Sequence, residues 1–475
     1  MAPKLIEFFN IMAILTRNIL NHGFYSDKDF QSILHDPDNA ILTQLIQSLP
    51  ELINPDRTPN TIRLAELNRS FFAILNTFKT QNIYSQLLLL YYMDRAIESC
   101  YVRNCNFEDD VEQFDALNHN IEQTQIAIIK KTKCCWEHTS PTENLTNKIF
   151  SAFYYIDYQA LPNTHVINHI VDAELAAPRS PDCYKVAISP IMKRKILTLS
   201  APYQRKNRKT GALQSLFRIE KLEHEKEVTD SVMVNIIAAG QQNTDILVFP
   251  EMLGSISMLN QILAEIKEKH HPVPSLIVFP SIWEKAENDE QNTNHSCMIL
   301  NGREILFQQK KYCNFRYFEK GKPVYEDIND SSDTTELHLL HIKGLGRICI
   351  IICYDYLEAE NRERIIKNLQ PTLICSPSFS TGSFDFRLLA QSNLYRNCNW
   401  IWCNTCSASN HTDKIQNFEI TGIITTLSRH CDFSKDKGIQ INCSGVTRCQ
   451  KENCDHCIFY AEIPINDLKN LEKVR

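Results

Sequence analysis

The spacing of hydrophobic positions along this chain changes near residue 160. Before it, apolar residues recur about every three or four positions, the period of one helix face. Leu5, Phe8, Phe9, Met12, Leu15 and Ile19 form one such series, and Leu64, Leu67, Phe71, Ile74, Leu75 and Phe78 a second. Leu87, Leu90, Tyr91 and Ala96 begin a third, and Val111, Phe114, Leu117, Ile121 and Ile128 carry the pattern through the more polar stretch 109–133. Residues 1–160 are therefore expected to form an all-α N-terminal domain. Pro162, Pro178 and Pro181 break regular structure and mark 161–184 as a connector.

From Lys185 onward, short β-branched runs alternate with helical stretches. Residues 186–188, 245–249, 276–279, 373–375 and 400–403 read as strands, and 223–240, 256–266 and 384–397 as helices. Asn301-Gly302 between two strand patterns, 296–300 and 303–311, is a strong hairpin signal. A second pair, 337–342 and 347–353, turns at 343–346, and 420–427 and 458–463 close the series. Strands alternating with helices specify an α/β class for residues 185–475.

Composition narrows the picture. The 475 residues exceed one ordinary domain, and 43% hydrophobic with 22% charged residues supplies real cores. A net charge of -6 gives no general reason to expect nucleic-acid or membrane affinity. The longest apolar runs, 87–93 and 348–354, fall short of the ~20 residues that a membrane span needs. No small-residue cleavage site follows the short apolar run 8–16, so a signal peptide is not expected and a cytoplasmic location is. In that setting most of the 18 Cys are expected to be reduced and packed as small hydrophobes.

Three polar residues stand where buried strand patterns run out: Glu251, Lys311 and Cys353. The ends of strands in an open α/β sheet are where ligand crevices form. A carboxylate, an amine and a thiol brought together can run acyl transfer. The carboxylate takes the thiol proton, the sulfur attacks an electrophilic carbon, and the ammonium stabilises the anion that develops. Taken singly, Glu251 reads more often as a helix N-terminal carboxylate, Lys311 as a solvated strand-end lysine and Cys353 as core; it is the three together that point to chemistry.

The run Asp245–Glu251 resembles the first signature of the nitrilase (carbon–nitrogen hydrolase) superfamily, and Ile352-Cys353-Tyr354-Asp355 resembles its third, around the nucleophile. Lys311 with Glu319 eight residues on resembles the second. The resemblance covers about residues 184–465. It implies an αββα sandwich, four layers with two protomers pairing across helices. It implies Glu251 as general base, Cys353 as nucleophile, Lys311 and the Tyr354 backbone N–H as stabilisers of the oxyanion, and Glu319 as accessory carboxylate. The cycle would pass through a thioester and needs no metal or organic cofactor. The expected partner is a small-molecule amide, ahead of a nitrile, and the expected assembly a homodimer or larger. The family often has His and Leu after the Lys; the run Lys311-Tyr312-Cys313-Asn314 here departs from that and leaves Lys310 in competition with Lys311.

A different class of function stays open: a nitrilase-like scaffold or sensor whose helical half binds a protein partner, by analogy in a bacterial defence system beside a reverse transcriptase. Tyr155-Ile156-Asp157-Tyr158 resembles the YxDD box of those enzymes without its second Asp, and reads better as core or connector. Lys193, Arg194, Lys195, Arg205, Lys206, Arg208 and Lys209 are either a solvated loop or a patch for an anionic partner. Cys443, Cys449, Cys454 and Cys457, with His430, Cys431 and His456 nearby, contain one C-x-x-C step; reduced thiols compete there with a structural zinc.

Overall fold

The computed structural model describes residues 3–22, 39–49, 52–58, 60, 83–103, 124–130, 150, 153–161, 163–171, 173–176, 180, 183–207, 210–285, 292–328, 334–342, 346–393, 398–411, 420–425, 439–441 and 457–464. Helices α1 (Pro3–Asn21), α2 (Ala40–Ser48) and α3 (Ile83–Arg103) come first. The helical series expected over 64–78 and most of 109–133 lie outside the described residues.

Strands β1 (Ile126–Lys130) and β2 (Phe153–Asp157) pair antiparallel, which corrects the all-α expectation for residues 1–160. The run Ile126-Ala127-Ile128-Ile129 is continuously apolar, and its described side chains, Ile126, Ala127 and Ile128, are buried. Such a run serves a strand buried on both faces better than one stripe of a helix. Phe9, Met12, Leu45, Leu88 and Phe153 share a core of their own in this part of the chain. Strand β3 (Thr164–Val171) falls inside the expected connector.

The short helix α4 (Ala173–Ala176) leads to strands β4 (Cys183–Ile188), β5 (Leu197–Leu199), β6 (Tyr203–Lys206), β7 (Leu213–Phe217) and β8 (Ile219–Leu222). Then come α5 (Glu225–Gln241), β9 (Ile246–Val248), α6 (Ile256–Lys269), β10 (Leu276–Val278), β11 (Ile282–Glu284), β12 (Thr293–Leu300) and β13 (Glu304–Lys310). Next are β14 (Arg316–Glu319), β15 (Lys322–Glu326), β16 (Thr335–Ile342), β17 (Gly346–Ile350), α7 (Tyr354–Leu357), α8 (Ala359–Leu369), β18 (Leu373–Pro377), α9 (Phe384–Asn393), β19 (Asn399–Cys403), β20 (Gly422–Ile424), β21 (Ile439–Ile441) and β22 (Phe459–Pro464).

Two seven-stranded sheets organise these elements. One runs β11-β12-β10-β9-β4-β22, with β13 paired to β12; the other runs β21-β20-β19-β18-β17-β16-β3. Strands β4, β9 and β10 are mutually parallel, as are β17, β18 and β19. Their near-continuous apolar sequences follow from burial on both faces. One face of the first sheet packs on α5 and α6 through Leu247, Phe249, Ile277, Val232, Ile236 and Ile262. Its other face meets the second sheet, which α8 and α9 cover with Ile365, Ile366, Leu369, Phe386 and Ala390. Helix α6 shows the local logic: Ser255 Oγ caps it by accepting from Met258 N–H at 3.0 Å, and Met258, Leu259, Ile262 and Ile266 are its buried stripe. The β12–β13 turn places Asn301 at φ 50 and Gly302 at φ 63, both left-handed, as an Asn-Gly turn requires.

Candidate active site

Strand β9 ends at Val248, and the chain continues in extended contact: Phe249 N–H donates to Val278 O at 3.0 Å and Glu251 N–H to Ser378 O at 3.3 Å. Strand β17 continues the same way, with Cys353 N–H donating to Pro377 O at 2.9 Å. Glu251 and Cys353 thus arrive at the C-terminal ends of parallel strands, one from each sheet. Each is followed or occupied by strained backbone. Met252 lies at φ 66 and Cys353 itself at φ 45, ψ -107, a region that non-glycine residues rarely enter except where the surroundings hold them. Lys311 follows the last residue of β13, and its N–H donates to Asn294 O at 2.8 Å. Lys310, its neighbour, is exposed; Lys311 is buried.

The three side chains meet. Lys311 Nζ lies 2.8 Å from Glu251 Oε1 and 2.6 Å from Glu326 Oε2, and all three are fully buried. The Cys353 thiol, 3% exposed, lies near enough to Glu251 and Lys311 for both to act on its titration, and the Phe379 N–H donates to Glu251 Oε2 at 2.9 Å. Glu319 does not join them. It ends β14 as an exposed residue, and Lys320 and Gly321, both at positive φ, turn the chain back. The return strand β15 delivers Glu326 to the place expected of Glu319. Two further residues went unread in the sequence. Asn294 Nδ2 donates to Glu251 Oε1 at 2.9 Å and to Glu326 Oε1 at 3.3 Å, and its Oδ1 accepts from Ser281 Oγ at 2.7 Å. Neither carries a clear signal in the sequence: Asn294 lies in the polar run Thr293-Asn294-His295-Ser296, and Ser281 follows the strand pattern 276–279.

The electrostatics follow from burial. Desolvation pulls the Lys311 pKa down, but Glu251, Glu326 and Cys353 outweigh it and hold the ammonium well above its ordinary value. Burial pushes the Glu326 carboxyl up against the pull of Lys311. Burial and then Glu251 push the Cys353 thiol well up, with Lys311 and the Phe379 N–H opposing. A thiol whose proton burial holds in place needs a base to attack, and Glu251 is the carboxylate beside it. Tyr354, as the first residue of α7, has an N–H without an intrahelical partner. Burial raises Asp355 to about 7, although the Cys313 N–H, Lys311 and the Tyr312 N–H all pull the other way.

Glu326 is carried by a four-stranded sheet of order β14-β15-β7-β6. Asp327 fastens it: Arg205 Nη2 lies 2.6 Å from Asp327 Oδ1, Asn292 Nδ2 donates to Oδ2 at 3.0 Å, and the Tyr203 hydroxyl donates to Oδ2. The basic segment is in part spent on such pairs, since Arg194 also meets Glu227; Arg208 and Lys209 lie outside the described residues. Of the Cys/His cluster only Cys457 is described, as a half-buried free thiol; Cys443, Cys449, Cys454, His430, Cys431 and His456 lie outside. Nearby in the chain, Phe315 meets Tyr354 edge-on at 6.3 Å, and Tyr317 packs on the buried Phe217 at 5.4 Å. Among the described residues, no helix is long and apolar enough to cross a membrane.

No family model and no curated protein matches this chain. Solved structures do. Nit3 of Saccharomyces cerevisiae, a member of branch 10 of the nitrilase superfamily, is similar at 15% identity and TM-score 0.37, over 62% of this chain and 93% of its own. An amidase from Nesterenkonia sp. is similar at 10% identity and TM-score 0.39, over 62% of this chain and 98% of its own. A glutamine-dependent NAD(+) synthetase from Cytophaga hutchinsonii is similar at 12% identity and TM-score 0.30, over 59% of this chain and 43% of its own. These likenesses to nitrilase superfamily proteins fall on the C-terminal part of the chain and leave its N-terminal region unmatched.

Proposed function

We propose that the protein is a cysteine-dependent carbon–nitrogen hydrolase that acts on a small-molecule amide, in a nitrilase-like αββα fold whose protomers pair. The observation that carries this reading is the buried grouping of the Cys353 thiol with Glu251 and Lys311, whose Nζ lies 2.8 Å from Glu251 Oε1. A thiol held above its ordinary pKa beside a carboxylate is a nucleophile paired with its base. Glu251 takes the thiol proton as the sulfur bonds to the carbonyl carbon. The carbonyl oxygen becomes an oxyanion, stabilised by Lys311 and the Tyr354 N–H. Collapse breaks the carbon–nitrogen bond, and Glu251 returns the proton to the leaving nitrogen, which departs as amine or ammonia. Water, deprotonated by Glu251, then attacks the thioester, and the thiol is restored as the acid leaves. Glu326 and Asn294 keep Lys311 and Glu251 in register throughout.

The test is intact mass and peptide mapping after iodoacetamide, on the wild type and on Cys353→Ala, Lys311→Ala and Glu251→Ala. Expected is alkylation at Cys353 faster than at the half-buried Cys183, slowed in the Lys311 and Glu251 variants, and amide hydrolysis that disappears with Cys353→Ala. Alkylation at Cys353 that ignores both neighbours, in folded protein, sinks the proposal.

A further inference from the structure

We infer that Asp355 is a positioning residue that sets Lys311 against Cys353 by binding the backbone that follows the lysine. The inference rests on the reading of Cys353, Glu251 and Lys311 as the reacting set. Strand β13 ends at Lys310, and beyond it the amides of Tyr312 and Cys313 leave the ladder. The Asp355 carboxylate receives both. Tyr312 N–H lies 3.2 Å from Oδ1 and 3.1 Å from Oδ2, and Cys313 N–H donates to Oδ1 at 2.6 Å.

An acidic residue in the first turn of a helix ordinarily serves that helix's own N–H groups. Asp355 stands in the first turn of α7, yet the N–H groups at its oxygens belong to the lysine segment. It is also two residues from the nucleophile. One buried side chain, 4% exposed, therefore ties the turn that holds Cys353 to the chain that holds Lys311. The lysine's own N–H is fixed from the other side by Asn294 O, and the Tyr312 hydroxyl accepts from Glu336 N–H at 2.8 Å. Three consecutive amides, 311 to 313, are thereby pinned, the first to β12 and the next two to the helical turn after Cys353. The ammonium's distance to the thiol is set at its backbone, before Glu251 and Glu326 act on its tip.

The tie is read directly by hydrogen–deuterium exchange of the peptide spanning 311–313, and its consequence by the Cys353 alkylation rate in Asp355→Ala, Lys311→Ala and the double variant. Expected is faster exchange at Tyr312 and Cys313 in Asp355→Ala, and alkylation slower by about tenfold, the scale of a small misplacement of reacting groups. Asp355→Asn, which keeps one acceptor oxygen, should recover part of both. Because Asp355 acts through Lys311, the double variant should be no slower than Lys311→Ala alone. Unchanged exchange, or losses that multiply in the double variant, overturn the inference. If Lys311→Ala alkylates at the wild-type rate, the reading of the site falls with it; if only Asp355→Ala does, the site stands and the inference falls.

Discussion

Lys311 is a buried ammonium between two carboxylates, 2.8 Å and 2.6 Å away. Removing one carboxylate leaves Lys311 paired with the other but takes a charge-assisted hydrogen bond out of a buried site, at a cost of about 1–3 kcal/mol. Glu326→Gln should therefore lower stability on that order and slow amide turnover by about 10²-fold, the low end for a group engaged in proton-transfer chemistry. Glu319→Gln, at an exposed strand end, should leave both within about twofold. Steady-state hydrolysis and a denaturant titration of the two variants decide between them. The pair also shows how far single residues could be read. Glu251 and Cys353 were legible because each follows a strongly apolar run, and Lys311 because it ends the second arm of the Asn301-Gly302 hairpin. Counting along the chain could not separate the tip of the β14–β15 hairpin from its return strand, so an eight-residue spacing pointed at Glu319 while Glu326 fills the place.

Among the elements, the parallel pairing of β3 with β16 brings four histidines together, His165, His169, His338 and His341. His169 Nε2 and His338 Nδ1 are 2.8 Å apart, and Phe307 stacks on both rings; His341 Nε2 is 2.8 Å from Asn168 Oδ1. Burial, then neighbouring charge, pushes His338 down to about 4 and His341 to about 3. These groups are held below their ordinary value of 6.5, so the folded state refuses protons that the unfolded chain accepts. Stability from this seam is full above pH ~6.5 and drains as pH falls from there toward 4. Denaturant midpoints recorded from pH 7.5 to 4.5 should fall, and His338→Gln should flatten part of that fall; an identical slope in the variant would place the acid sensitivity elsewhere. Strand β3 itself was missed because Thr164, His165, Asn168 and His169 interrupt its apolar pattern, as suits a half-buried edge strand. The β12–β13 hairpin was legible since Asn301-Gly302 fixes its turn locally.

At the scale of the whole molecule, the second sheet crosses the change of pattern at residue 185. Residues 164–171 supply that sheet's edge, and β2 with Tyr158–Ala160 packs on α8, directly after the nucleophile turn. Arg17 Nη2 meets Asp157 Oδ1 at 2.7 Å within the same region. No sequence period announces a strand that pairs across such a distance. A chain beginning at residue 183 should consequently expose the β16 edge and aggregate, or melt well below a chain beginning at 150 that keeps β2 and β3. Size-exclusion chromatography and thermal melts of the two compare them; equal behaviour would show that β3 is dispensable. The same topology governs the order in which the protein can be born. Thr164 and Thr335, whose hydroxyls lie 3.0 Å apart across β3 and β16, are separated by 171 residues, and β4 pairs with β22, made far later still. On the ribosome the early strands emerge long before their partners, and contacts this distant in sequence form slowly. The nascent chain must hold apolar strand edges unpaired while its later strands are still being made, an interval in which misassembly competes with folding.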